Sequence, residues 1–197
     1  MISGDFPAHD AEPQVLLEFC LKDGTKGVIR TAVPQDADTI LNIKLGVLAD
    51  GIYDALLPEE YAFDAQQEAL WIEQSLGSSS NLLLVADVGK VVGVLYFQTS
   101  SELRCSHWGE LGMGLEPAWR GKGLGTYLVQ SLLAWATEHP RLEKVVLKVF
   151  AANARAHKLY ERLGFVEEGR LRQCLRLGPN NYTDAILMAA FVKEQQG

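Results

Sequence analysis

The chain has 197 residues, of which 48% are hydrophobic, and its formal net charge is −7 at neutral pH. A chain of this size can bury one sizeable core, so we expect a single domain over residues 13–197, preceded by a short tail over 1–12. The negative charge disfavours general binding to nucleic acid or to anionic membranes. The longest apolar run, over 185–192, is far shorter than the ~20 residues of a membrane span.

The cysteines and the tail indicate a compartment. Cys20, Cys105 and Cys174 are odd in number and widely spaced, which argues against a disulfide framework or a metal site and favours reduced thiols in the cytoplasm. The tail has no Lys or Arg and no continuous apolar run, so we do not expect it to be a signal peptide.

The N-terminal part of the chain predicts a hairpin followed by two helices. Strand patterns over 15–21 and 27–32 flank a turn with the sequence Asp23-Gly24, a strong hairpin signal. Pro34 opens a helix, and a second helix is expected around 65–76. The residues expected to face inward from these helices are Ile40, Ile43, Val47, Leu48, Leu70 and Trp71.

The segment from 45 to 89 contains no Lys or Arg, whereas the segment from 141 to 176 is net basic and suits an anionic cofactor. The first segment interleaves acidic residues with Tyr53, Tyr61, Phe63 and Trp71. Two interpretations stay open: a solvated helical surface, or a surface suited to a cationic acceptor molecule. The acidic residues concerned are Asp50, Asp54, Glu59, Glu60, Asp64, Glu68, Glu73 and Asp87.

A glycine-rich turn follows strand patterns over 81–86, 91–97 and 110–115. In the last of these, Leu111, Met113 and Leu115 share one face. Glycines remove the Cβ atoms that would keep an anion away from backbone N–H groups, and a helix N-terminus offers such groups unpaired. The turn therefore predicts a phosphate site, with positive charge at its mouth from two basic residues, and its residues are Arg120, Gly121, Lys122, Gly123, Leu124 and Gly125.

The C-terminal part predicts a helix after the turn that ends at Pro140, a strand over 144–150, a short helix, and strands near 165–172 and 182–192. Asn153 suits the N-cap of the short helix, and Gly164 suits its C-terminal cap. The expected fold is mixed α/β, of the α+β type, with a mostly antiparallel sheet flanked by helices.

These motifs, in this order, resemble the GNAT superfamily of N-acetyltransferases over about residues 27–192. The resemblance rests on the strand over 110–115, Arg120-x-x-Gly123-x-Gly125, the pattern Asn153-x-x-Ala156-x-x-x-Tyr160-x-x-x-Gly164-Phe165, and the closing segment 182–188. The chain is most similar to the branch that contains ribosomal-protein N-terminal acetyltransferases and small-amine acetyltransferases for phosphinothricin and spermidine.

The resemblance implies a sheet splayed at its centre to admit acetyl-CoA, with no metal. The backbone from Met113 to Leu115 would pair with the pantetheine arm as an added strand does. Asn153 would contact that arm from the other side, and the glycine turn would hold the pyrophosphate. The implied cofactor-binding residues are Met113, Leu115, Arg120, Gly121, Lys122, Gly123, Leu124, Gly125, Asn153, Ala156 and Tyr160.

Acetyl transfer to an amine needs a proton acceptor for the amine and a proton donor for the departing thiolate. Glu110 is the candidate base, although an exposed strand carboxylate or an ammonium-binding group is an open alternative. Tyr160 is the candidate general acid, and its alternative is a packed aromatic residue on the apolar stripe of its helix.

The sequence therefore predicts an enzyme that moves an acetyl group from acetyl-CoA to a primary amine by direct attack in a ternary complex. The acceptor is expected to be a small cationic molecule or a protein N-terminus. The alternative is an acyl-CoA sensor without turnover. A homodimer is possible in this family, and the acyl-chain preference stays open.

Overall fold

The structure is a computed structural model that describes residues 12–193. The expected tail over 1–12 lies, except for Glu12, outside the described residues, so the domain boundary stays a prediction. The strands are β1 (Val15–Cys20), β2 (Lys26–Thr31), β3 (Leu82–Asp87), β4 (Val91–Thr99), β5 (Trp108–Leu115), β6 (Lys144–Phe150), β7 (Val166–Gly178) and β8 (Asn181–Phe191). The helices are α1 (Ala37–Ala49), α2 (Ala65–Leu76), α3 (Leu124–Glu138) and α4 (Ala154–Arg162).

All eight strands form one sheet in the order β1-β2-β3-β4-β5-β6-β8-β7. The pairing is antiparallel everywhere except between β5 and β6. Helices α1 and α2 contribute to an apolar cluster on one face, around Ile40 and Ile72, and α3 and α4 contribute to the cluster on the other, around Leu128 and Tyr160. The expected mixed fold with a mostly antiparallel sheet and an N-terminal hairpin is confirmed.

Two expectations about the elements are wrong in detail. Leu70 does not face inward but is 50% exposed, because the buried stripe of α2 runs through Glu68, Ile72 and Ser75 at helical spacing. The strand expected near 165–172 continues to Gly178. Its edge position leaves most of its side chains exposed, so an alternating burial signal is weak there.

The centre of the sheet is split. β5 and β6 pair only from Trp108 to Glu110, opposite Lys144 to Val146. Beyond Glu110, β5 continues on β4 to Leu115 and β6 continues on β8 to Phe150. The two strands therefore diverge, which confirms the expected central splay and leaves facing backbone edges on either side of a gap.

Among residues 12–193, none of the helices combines the length and apolar character that crossing a membrane requires.

Gly109 lies in the short part of β5 that pairs with β6, and it is tightly packed there. A Cβ at Gly109 would lie 2.5 Å from the backbone oxygen of Gln98 and 2.5 Å from Cζ of Phe97. We expect Gly109→Ala to lower the free energy of unfolding by about 1–3 kcal/mol, because backbone and core must move apart. Urea denaturation of the purified variant measures this change.

Gly46, within α1, is the matched control because a Cβ there meets no atom within 4 Å. Gly46→Ala should raise the free energy of unfolding by up to about 1 kcal/mol through helix propensity. Equal effects of the two substitutions would contradict this description of β5.

Candidate active site

A cavity of about 810 Å³ opens at the gap between β5 and β6. Its walls come from α1 and the loop after it, from β4, β5 and β6, from the glycine turn, and from α4. Ten of the residues proposed from the sequence line it, namely Glu110, Met113, Leu115, Arg120, Gly121, Gly123, Gly125, Asn153, Ala156 and Tyr160. Lys122 and Leu124 are not part of this lining.

The β5 edge presents backbone groups to the gap. The N–H of Glu116 donates to the carbonyl of Val92 at 2.9 Å. Together with the strand register, this bond shows which alternate residues of β5 direct their backbone groups toward β4. Backbone groups alternate in direction along an antiparallel strand, so those of Met113 and Leu115 point away from β4 and into the gap. The carbonyl of Leu115 accepts from Nε of Arg120 at 3.0 Å. The groups left for an extended ligand are therefore the N–H and C=O of Met113 and the N–H of Leu115.

The glycine turn leads into the N-terminus of α3. Gly123 is the N-cap, with φ +100°, and no side chain caps the first turn. Gly121 also has positive φ, at +79°. A Cβ at Gly123 would meet no atom within 4 Å, so the space beside Gly123 is open. Unpaired N–H groups and the helix dipole together favour an anion such as a phosphate at this place.

The two basic residues of the turn are already engaged. Nη1 of Arg120 lies 2.6 Å from Oδ2 of Asp50, and the Arg120 side chain is largely buried. Nζ of Lys122 lies 3.5 Å from Oδ2 of Asp23 and 4.6 Å from the ring centre of Trp119. Each basic residue therefore has an acidic partner within the protein, which partly balances the positive charge that the sequence predicts at the mouth of the turn.

The side chain of Leu124 faces the core, so only its backbone is available at the turn. Its side chain is 1% exposed and belongs to the core under α3. The apolar residue in the turn therefore anchors α3, and its N–H is one of the first groups of the helix.

Further basic residues, which the sequence analysis included only in the net basic segment over 141–176, lie on α4. Nη1 of Arg155 lies 3.8 Å from the place where a Cβ of Gly121 would be, and Lys158 and Arg162 also line the cavity. Their spacing of three and four residues puts them on one side of the helix. That spacing is visible in the sequence, but it does not tell which loop the basic side faces.

The start of α4 is capped as expected. Oδ1 of Asn153 accepts from the N–H of Ala156 at 3.2 Å. The amide nitrogen of Asn153 keeps its own donors, and Asn153 lines the cavity. Gly164 ends the helix with φ +89°.

Tyr160 projects from α4 into the cavity wall. The residue is 6% exposed, and its ring lies 5.6 Å from the ring of Phe165. Its hydroxyl has no hydrogen-bond partner among residues 12–193. Burial raises the pKa of Tyr160 above the usual tyrosine value, so the phenol stays protonated at neutral pH.

On the other side of the gap, Glu110 shares the cavity with Tyr96 and Asp54. The Tyr96 ring covers Gly112, where a Cβ would overlap it. Burial raises the pKa of Tyr96, and the nearby carboxylates of Asp54 and Glu110 add to this rise. The sequence reasoning missed Tyr96, because an aromatic residue in a buried strand is normally interpreted as core.

A buried polar cluster supports this wall. Glu68 is fully buried and accepts from Nζ of Lys44 at 2.5 Å and from the hydroxyl of Tyr61 at 2.8 Å. The same Nζ lies 4.0 Å from the ring centre of Trp71. Burial lowers the pKa of Lys44, and Glu68 opposes that fall. The cluster joins α1 to α2 beside the cavity, which Lys44 and Tyr61 line.

Most acids of the segment from 45 to 89 have structural partners. Asp64 caps α2, Glu60 accepts from the N–H of Leu57, and Asp87 pairs with Arg30. Asp54 lines the cavity. The first three of these acidic residues therefore act as helix caps or ion-pair partners and do not form one continuous acidic surface.

Among residues 12–193, no group of three or more His, Cys, Asp or Glu side chains is placed to hold a metal ion.

Comparison with known proteins places this site in a family. Residues 49–165 match the Acetyltransferase (GNAT) family. The L-amino acid N-acetyltransferase AaaT of Escherichia coli (strain K12) is 30% identical over 138 residues, which cover 67% of this chain and 84% of that protein. The N-alpha-acetyltransferase of Sulfurisphaera tokodaii is 31% identical over 186 residues, which cover 88% of this chain and 99% of that protein.

The fold is also that of a solved acetyltransferase complex. The GNAT superfamily phosphinothricin acetyltransferase (Pat) from Sinorhizobium meliloti, in complex with AcCoA, superposes with a TM-score of 0.74. It is 21% identical, and the match covers 84% of this chain and 88% of that chain. The likeness shows that the two chains share a fold.

The open space in front of Gly123 generates a binding test. We expect Gly123→Glu to weaken acetyl-CoA binding by about 100-fold or more, because the new carboxylate would occupy the anion site and repel the phosphates. Isothermal titration calorimetry with acetyl-CoA measures the change.

Gly89→Glu is the matched control. Gly89 also has positive φ, at +89°, and open space around its Cβ position, but it lies in the turn between β3 and β4. The control should carry the same backbone strain and bind acetyl-CoA normally. Normal binding by Gly123→Glu would contradict the assignment of the turn.

Proposed function

The chain belongs to the GNAT family of acetyltransferases, and we propose that it acetylates a primary amine by direct attack within a ternary complex. The enzyme is an acetyl-CoA-dependent acyltransferase. What is proposed here is the acceptor class, the direct mechanism and the residues that carry them. One observation supports the proposal most: a single cavity contains the β5 edge, the glycine turn and the carboxylates Glu110 and Asp54.

The chemistry requires two proton transfers. Acetyl-CoA supplies an acetyl group activated as a thioester. The acceptor nitrogen bonds to the acetyl carbon, the carbon–sulfur bond breaks, the nitrogen loses one proton and the sulfur gains one. We assign the base to Glu110 and the proton donor to Tyr160, which line the cavity from β5 and α4 on either side of the gap.

The cavity suits an ammonium group before it is deprotonated. The Glu110 carboxylate makes no hydrogen bond or ion pair with another described residue, and Asp54 contributes a second carboxylate. Tyr53, Tyr61 and Tyr96 add aromatic rings to the same wall, and rings stabilise cations. We propose a small cationic amine or a protein N-terminus as the acceptor, and the relatives named for L-amino acids and for N-alpha acetylation make α-amino groups the first compounds to test.

The reduced compartment and the homodimer also stay proposals. Cys20, Cys105 and Cys174 are all free, which suits the cytoplasm.

The alternative function, an acyl-CoA sensor, uses the same cavity but does not turn over. A panel of amines incubated with acetyl-CoA, with released thiol as the readout, separates the enzyme from the sensor. If no amine in the panel releases thiol above background while acetyl-CoA binding is intact, the result favours the sensor.

Removing one oxygen from Tyr160 tests the general acid. We expect Tyr160→Phe to lower kcat by about 100-fold, while the Kd for acetyl-CoA stays within about twofold, since the ring still fills the same space. Steady-state kinetics and calorimetry on the same preparation measure both. The control is Tyr127→Phe, which removes an exposed hydroxyl 3.4 Å from the carbonyl of Cys20. An unchanged kcat in Tyr160→Phe would show that the phenol is not the general acid.

The pH dependence of kcat tests the role of Tyr160 independently. Burial raises the pKa of Tyr160 in the folded protein, so the protonated form persists to higher pH than in an ordinary tyrosine. The kcat of the wild-type enzyme should therefore show no falling limb up to about pH 10. A fall centred well below that pH would contradict a raised pKa of the catalytic phenol.

Glu110→Gln separates the two roles left open for this carboxylate. If Glu110 is the base, kcat falls by about 100-fold with the acceptor KM little changed. If it only binds ammonium, the acceptor KM rises and kcat at saturation is retained. We expect the first result. Glu18→Gln, on β1, is the control, and wild-type kinetics in Glu110→Gln would exclude both roles.

A further inference from the structure

The side chain of Arg120 connects the two halves of the cavity. Nε donates to the carbonyl of Leu115, at the end of the β5 edge, at 3.0 Å. Nη1 lies 2.6 Å from Oδ2 of Asp50, which ends α1. The guanidinium carbon lies 5.2 Å from the ring centre of Tyr53. One side chain of the glycine turn thus holds the start of the loop that follows α1.

That loop forms the acceptor wall. Its residues Tyr53, Asp54, Ala55 and Leu56 line the cavity, and Asp54 is close enough to Tyr96 to raise its pKa. The loop between α1 and α2 has little regular structure of its own, apart from one short turn at Pro58–Glu60. Its position near Tyr53 therefore depends on contacts with the rest of the protein, of which the Arg120 pair is one.

The guanidinium has little freedom to find other partners. The Arg120 side chain is 16% exposed and that of Asp50 is 32% exposed. Nη2 of Arg120 is buried and has no hydrogen-bond partner among the described residues. A largely buried cation that lost Asp50 would be left with a further unsatisfied donor, so Arg120 would move toward water or toward another anion.

We propose that Arg120 is a positioning residue, which through Asp50 and Tyr53 couples occupation of the cofactor turn to the order of the acceptor loop. The effect of this coupling on catalysis rests on the proposed function. Phosphate bound to the N–H groups of the turn restricts the backbone that carries Arg120, and the ion pair passes that restriction to residues 51–57. Acetyl-CoA binding then prepares the acceptor wall, and by reciprocity the acceptor tightens acetyl-CoA binding.

Asp50→Asn removes the charge of the pair with little change in shape. In the wild-type protein, addition of CoA should slow amide hydrogen exchange in a peptide spanning residues 51–57, as read by mass spectrometry. In Asp50→Asn this slowing should be lost, while the Kd for CoA stays within about threefold. With an acceptor found in the amine panel, its KM should rise about fivefold to tenfold, with a smaller change in kcat.

Asp23→Asn is the matched control. It removes the charge of the other ion pair made by the turn, Lys122 with Asp23, on the side of the N-terminal hairpin. It should keep the slowing at residues 51–57 and the acceptor KM of the wild type. Tyr53→Leu is the second variant: it keeps the ion pair, removes the ring from the guanidinium, and should weaken the slowing partly, so that the test survives if Asp50→Asn folds poorly.

Normal slowing of exchange and an unchanged acceptor KM in Asp50→Asn would overturn the coupling. Equal loss of slowing in Asp23→Asn would also overturn it, because any change of charge on the turn would then have the same effect. Failure of the proposed function is a different result: no amine would be acetylated by the wild type, whereas the exchange measurement with CoA would still decide the coupling.

Discussion

The separation of β5 from β6 after Glu110 is the constraint on which the site depends. Backbone N–H and C=O groups need partners, and a strand edge in the middle of a sheet is normally satisfied by its neighbour. Here β5 keeps β4 and β6 keeps β8, so each strand stays in the sheet while their facing edges diverge. An extended ligand with amide groups can supply the missing strand, and the glycine turn at the end of β5 adds an anion site in line with it.

The helices on the two faces of the sheet contribute different residues to the surroundings of this gap. Helices α3 and α4 lie on one face and bring the open turn, Arg155 and Tyr160 to the cofactor side. Helices α1 and α2 lie on the other and bring Asp54 and the cluster of Lys44, Glu68 and Tyr61. Glu68 is stable in a fully buried position because Lys44 and Tyr61 satisfy its oxygens. The proposed acceptor wall therefore adjoins this cluster at one end, and Arg120 contacts the start of its loop at the other.

The parts of the fold that depend on local sequence could be predicted from it. The hairpin turn at Asp23-Gly24, the cap at Asn153 and the left-handed Gly164 each follow from one or two residues, and all three occur. Contacts between distant elements could not be predicted in the same way. Arg120 pairs with Asp50, 70 residues away, and Glu68 pairs with Lys44, 24 residues away. Nothing in the local sequence distinguishes a buried acidic residue on α2 from a solvated one. The same limit applied to Tyr96 and Arg155, whose roles appear only once the strands and helices are packed.

Residue-resolved amide hydrogen exchange with and without CoA tests the central claim most directly. If the free edge of β5 receives the cofactor as an added strand, CoA should slow exchange at the N–H groups of Met113 and Leu115. It should leave those of Gly112 and Gly114 unchanged, because these already point toward β4. Unchanged exchange at Met113 and Leu115 in the presence of saturating CoA would contradict the account.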